Sequence, residues 1–331
     1  MTAVIIAALL TVTVIVSGLA GGTLIRKAAP ALMLKPRVAV AVLLATVSVW
    51  LVGFAALGPM LAWGLSGPSH LMPGNIGEVC QRCLDAATPL PPGLAVDTFI
   101  PVVVLLALPV LLGLIMVLSG YRHVRRSAKQ RRQVEHTLRH ATTYRKQLAD
   151  QNVTVLKHSH PTAFALANRQ WGIVVSTALL ELLTTDELTA VVTHEAAHLR
   201  QRHHLILGIF HGVLVPLRWI PLVAAIEAAI PHYLEMAADN AARHRTSTPV
   251  MASALLKLGE KSGPSVIPAA CGSVALHAAG LDRIRHLIEP PDAKRGVVPI
   301  SAMLTVTGVL LAGSVVVHLP YARAVLDGCL L

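Results

Sequence analysis

Four uninterrupted apolar runs, at residues 2–25, 38–57, 98–118 and 297–319, constrain this 331-residue chain more than any other feature. Each is long enough to cross a hydrocarbon core of about 30 Å as a single helix. In lipid a backbone must satisfy its own polar groups, so such stretches become helices that pack on one another. With 54% hydrophobic and 14% charged residues, the chain does not read as an ordinary soluble globule. The first run lacks the basic flank and the small-residue cleavage site of a secretory signal, so it is expected to stay in the membrane.

Loop charge then sets an expected orientation. Arg26, Lys27, Lys35 and Arg37 lie between the first two runs, whereas the loop at about 58–97 carries Glu78, Asp85 and Asp97 against Arg82. The positive-inside rule puts the first loop in the cytoplasm. The third run therefore leads into the cytoplasm, into a basic linker helix at 120–149 with Arg122, Arg125, Arg126, Lys129, Arg131 and Arg132. Both termini, including a short tail at 320–331, fall outside. These anchors account for most of the net charge of +11. An Arg-rich stretch that follows a span and lacks interleaved aromatics points to anionic membrane lipids, not to direct nucleic-acid binding. Cys80, Cys83 and Cys329 lie on the outer side, where a disulfide is expected, joining Cys80 to Cys83 or one of them to Cys329. Cys271, on the cytoplasmic side, is expected to be an inert thiol.

Between the third and fourth runs stands His194-Glu195-Ala196-Ala197-His198. Thr184 and Glu187 fit a capping box, with Leu183 and Leu188 as a hydrophobic staple, so a helix should begin there. Leu188, Val191, Val192 and Leu199 keep helical spacing and carry it to about His203. Histidines four apart share a helical face and can converge on one metal ion, while Glu195 beside them suits a general base. With 16 His in the chain, an H-E-x-x-H pentapeptide arises by accident roughly 0.02 times, so context decides its weight. That context is Glu235 and Asp239, again four apart on good helix-forming sequence. One carboxylate can complete a zinc site and the other can hold a ligand histidine by its second N–H.

The stretch Thr162-Ala163-Phe164-Ala165-Leu166, then Gly172 to Ser176, Leu179 to Leu183, Asp186-Glu187-Leu188 and Val192 to His198 resembles the core of integral-membrane gluzincins. These include the CAAX prenyl protease and HtpX-like families and the BlaR/MecR-type antirepressor peptidases. The resemblance implies one Zn²⁺ held by His194, His198 and Glu235, Glu195 as catalytic acid/base, and Asp239 as an orienting group. It also implies an edge strand of Ile173, Val174, Val175 and Ser176 beside the cleft, on which a substrate adds as a further strand. For the oxyanion, His232, Tyr233, Arg243 and His244 all stay open.

The segment 205–230 is apolar, yet a full crossing would put Glu235 on the wrong side of the membrane from His194. Pro216, Pro221 and Pro231, with His211, Arg218 and Glu227, point to a broken, re-entrant hairpin against the spans or to a buried helix pair of the peptidase domain. Residues 262–268 and 290–296 read as loops around a basic amphipathic helix at 274–287. The other histidines, among them His123, His158, His203 and His277, read as surface or interfacial residues.

The expected fold is a polytopic α-helical membrane protein: three spans in 1–119, a cytoplasmic zincin-like α+β metallopeptidase domain at 150–290, and a last span at 297–319. The expected function is a zinc endopeptidase of the bacterial cell membrane. Three spans before the core and one after it match the BlaR/MecR layout, which implies a winged-helix repressor of the BlaI type as substrate. No S-x-x-K motif accompanies them, so direct covalent sensing of a β-lactam is not expected. The alternatives are a quality-control protease of the HtpX kind and a non-catalytic receptor stabilised by zinc. A homodimer suits a membrane sensor.

Overall fold

The computed structural model describes residues 2–66, 96–97, 102–168, 170–260 and 294–326. The four cysteines, nearly all of the expected outer loop, the expected helix at 274–287 and the end of the tail lie outside the described residues.

Each apolar run forms the body of a long helix: α1 (Thr2–Leu32), α2 (Pro36–Gly64), α3 (Val102–His140) and α9 (Lys294–Leu326). Stretches of 25, 23, 34 and 27 residues in them are long and apolar enough to cross a membrane, which gives the chain the make-up of a membrane protein. Pro36 starts α2 because its missing N–H costs nothing in a first turn. Two-residue strands, β1 (Leu65–Ser66) and β2 (Val96–Asp97), pair in parallel beyond α2.

Helix α3 runs without a break from the third apolar run into the basic segment and ends at His140, earlier than the linker expected to reach 149. From Thr143 the chain is extended instead, because Thr143 and Tyr144 suit a strand and pair with Leu156 and Val155. The strands β3 (Thr143–Leu148), β4 (Gln151–Leu156), β5 (Ala163–Ala165) and β6 (Ile173–Ser176) form a sheet of order β3-β4-β6-β5. Helix α4 (Thr177–Leu182) follows at once, capped by the Ser176 hydroxyl, which accepts from Leu179 N–H.

Strand β6 therefore lies inside the sheet, parallel to β4 and antiparallel to β5, and is not the expected edge. All four of its residues are buried, and its β-branched run suits a strand covered on both faces. Val153, Val155, Ile173 and Val175 face one apolar cluster with the helices downstream. Val174, Leu156 and Phe164 face another, closed by Val134 and Leu138 from the end of α3.

The rest of the domain is helical: α5 (Thr185–Arg200), α6 (His203–Leu214), α7 (Pro221–Arg245) and α8 (Thr248–Glu260). The segment 205–230 folds as a hairpin of α6 and α7, turned by a 3₁₀ stretch at Val215–Leu217 and restarted by Pro221. Pro231, expected as a breaker, stays within α7. The hairpin packs on the long helices: Leu217, Ile220, Leu222 and Ile226 share a buried cluster with Leu10, Val14, Leu43 and Trp50. Approach is close enough to require glycine, since a Cβ on Gly22 would sit 2.8 Å from the Pro221 carbonyl oxygen and one on Gly212 3.0 Å from the Gly120 Cα. Near the hairpin tip Glu227 pairs with Arg218 and lies 2.7 Å from His211 Nδ1, so its charge is compensated. The last helix begins at Lys294, so the expected loop at 290–296 ends in helix.

Candidate metal centre

Helix α5 begins where the capping box places it. Thr184 Oγ1 accepts from Glu187 N–H at 3.4 Å, and Glu187 Oε2 accepts from Thr184 N–H at 2.8 Å. The same carboxylate takes Lys257 Nζ at 2.8 Å and Ser253 Oγ at 2.7 Å, which ties α8 to the start of α5. Burial alone would raise the Glu187 pKa, but the Lys257, Ser253 and Thr184 donors outweigh it and hold the carboxyl at about 2. Val191, Val192 and Ala196 then bury one face of α5. That packing fixes the rotation at which His194 and His198 leave the helix on another.

Glu235 and Asp239 come from α7, packed across α5. His194 Nε2 and His198 Nε2 lie 3.0 Å apart, and Glu235 offers Oε2 at 3.4 Å from the first and Oε1 at 3.3 Å from the second. All three side chains are buried, with one donor atom each inside a 4.8 Å group. Two imidazole nitrogens and a carboxylate are a donor set for Zn²⁺, and tetrahedral bonds of about 2.0–2.1 Å put neighbouring donors about 3.3–3.4 Å apart. The two histidine–carboxylate separations match that spacing and the histidine pair is somewhat closer, so the cluster is of a size for one small ion.

Behind His194, Asp239 Oδ1 lies 2.9 Å from Nδ1. A carboxylate only accepts, so His194 carries its proton on Nδ1 and turns the Nε2 lone pair toward His198 and Glu235. Burial would lower the His194 pKa, but the neighbouring Asp239 and Glu235 carboxylates outweigh it and raise it. Glu195, between the two histidines in sequence, is buried at 5% exposure.

The sequence misplaced His203. It is buried at 1% exposure, with Nδ1 2.8 Å from His198 Nδ1. Helix α5 stops at Arg200, short of the expected His203, because Arg202 takes a left-handed conformation at φ 53° and α6 starts afresh at His203. Left-handed turns usually announce themselves by Gly or Asn, and an arginine gives no such signal. Burial pushes the His203 pKa down to about 4, keeping the ring neutral. Of the oxyanion candidates, Tyr233 is buried and its hydroxyl is held protonated, with the pKa raised by burial to about 12. His232 is partly buried, with its ring 5.8 Å from that of Tyr233.

Residues 125–259 match the family described as Peptidase family M48, and every residue of this cluster lies within that stretch. A Protease HtpX homolog of Thermoanaerobacter pseudethanolicus is 32% identical over 76 residues, 22% of this chain and 25% of that protein. Protease HtpX homolog 1 of Saccharolobus solfataricus is 42% identical over 52 residues, 15% of this chain and 17% of that protein. The matches thus span about a quarter or less of these relatives. No solved structure matches the chain significantly. The matched stretch is similar to M48 gluzincins, a coarser kinship than the BlaR/MecR type.

Proposed function

We propose that this protein is a membrane-embedded, zinc-dependent endopeptidase with a zincin-like catalytic domain on the cytoplasmic side. One observation carries the reading: buried His194, His198 and Glu235 present their donor atoms to one point, with Glu195 between the histidines in sequence. Zinc held there supplies Lewis-acid polarisation of the scissile carbonyl and of the attacking water. Glu195 takes the proton of that water and passes it to the leaving amine. Asp239 keeps His194 in the tautomer that binds. A structural zinc site needs no carboxylic base beside its ligands, which disfavours a non-catalytic receptor.

Substrate backbone pairs with the outer edge of β5, which among the described residues is the edge strand packed more closely on α5 than the opposite edge, β3. This role passes to Ala163, Phe164 and Ala165 from the interior β6. The substrate is a protein. A BlaI-type repressor is supported by the order of apolar helices around the core, whereas the HtpX homologues favour a protease with many membrane clients. Trapping with Glu195→Gln in cells tests the two: one dominant cytoplasmic client supports the repressor, and many membrane clients support quality control.

A further inference from the structure

On an uninterrupted helix, His203 would point about 140° away from His198, five residues earlier. The left-handed turn at Arg202 brings it back, so that the two rings meet edge to face at 4.7 Å with an interplanar angle of 89°. A non-glycine residue in that conformation is an unusual element to spend on burying a polar ring.

The hydrogen-bond partners fix how the ring is used. Arg37, in the first turn of α2, donates from Nε to Gln201 Oε1 at 3.0 Å. Guanidinium has no acceptor, so the Gln201 atom that faces it is the oxygen. That same oxygen lies 3.0 Å from His203 Nε2, which must therefore carry hydrogen. A neutral ring protonated on Nε2 has its lone pair on Nδ1, and Nδ1 faces His198 Nδ1 at 2.8 Å. His198 is thereby left protonated on Nδ1, with its Nε2 lone pair turned to His194 and Glu235.

We propose that His203 is a positioning residue that fixes the tautomer and tilt of the metal ligand His198, and is itself held from the start of α2 through Gln201 and Arg37. It mirrors Asp239 behind His194. The inference rests on the zinc-site reading and adds a tether remote in sequence, from the start of α2, to the metal site. A carboxylate makes a ligand imidazole more basic, whereas a neutral imidazole acceptor does so less. The two ligands are therefore unequally supported.

The test uses the full chain purified in detergent, with zinc affinity from chelator competition and the visible spectrum of the Co²⁺-substituted protein. The variants are His203→Phe, which keeps an aromatic ring but no acceptor, His203→Gln, which restores an acceptor, and Gln201→Ala and Arg37→Met. His203→Phe should weaken zinc binding about 10–100-fold and shift the Co²⁺ bands, with His203→Gln recovering much of both. Gln201→Ala and Arg37→Met should each weaken binding severalfold. Wild-type affinity and spectrum in His203→Phe overturn the proposal. Should His203→Phe fail to fold, unchanged affinity and spectrum in both Gln201→Ala and Arg37→Met overturn it. If the wild type binds no zinc, or binds it equally well in Glu235→Ala, the zinc-site reading itself has failed; if those controls behave, only the role of His203 is in question.

Discussion

Asp239 reaches across from α7 to hold the back of the His194 ring, its Oδ1 2.9 Å from Nδ1, while the front of the ring faces His198 and Glu235. One helix turn of α7 thus brings both the Glu235 carboxylate to the candidate metal site and the Asp239 carboxylate to the back of a histidine on another helix. Asp239→Ala should lower zinc affinity about 10–100-fold with the helical content unchanged, and Asp239→Asn, which keeps an acceptor oxygen, should lose less. Equal, wild-type affinity in both variants, measured by chelator competition beside circular dichroism, contradicts this role.

The anchoring of α5 predicts a pH dependence. Glu187 has a folded pKa of about 2 against an ordinary 4.5, because Lys257, Ser253 and Thr184 outweigh the burial that opposes its charge. A depressed carboxyl contributes stability that is whole above its unfolded pKa and is lost as pH falls through the folded one. Glu187→Gln should destabilise by about 1–3 kcal/mol near neutrality. The gap in melting temperature should then narrow between about pH 5 and pH 2. A gap that is constant with pH would show that the charge is not what matters.

Close packing of the hairpin on α1 predicts that Gly22→Ala, whose Cβ would meet the Pro221 carbonyl oxygen at 2.8 Å, costs about 1–3 kcal/mol. Because α7 also carries Glu235 and Asp239, the variant should release zinc faster. Gly113→Ala, where a Cβ meets nothing within 4 Å, should leave melting and metal retention unchanged. Equal behaviour of the two variants in a thermal-shift assay removes the hairpin from the account of the site.

Much of this was legible because it rests on local patterns. Apolar runs of spanning length, the Thr184/Glu187 box and the two four-residue spacings each report on a helix in isolation. Harder to read were features set by partners distant in sequence. Ile173, Val174 and Val175 announce a strand, but only β5 folding back on it moves that strand inside the sheet. His203 looked peripheral because nothing in Gln201-Arg202 signals the left-handed break. Glu187 was legible as a cap, while its bonds to Ser253 and Lys257 depend on α8 returning to the start of α5.

The proposed orientation rests on the charge around the turn between α1 and α2, where exposed Leu34 stands beside Lys35 and just before Arg37 at the start of α2. A Leu34→Cys variant should react with a membrane-impermeant maleimide in inverted vesicles and resist it in intact cells. The reverse pattern would put the metal centre on the outer side.

The most direct test measures zinc content and proteolysis together in proteoliposomes, for wild type, Glu195→Gln and Glu235→Ala. The account predicts about one zinc per wild-type chain, zinc retained in Glu195→Gln with cleavage down by about 10²–10⁴-fold, and both lost in Glu235→Ala. Undiminished cleavage by Glu195→Gln, or a wild-type protein that takes up no zinc, would contradict it.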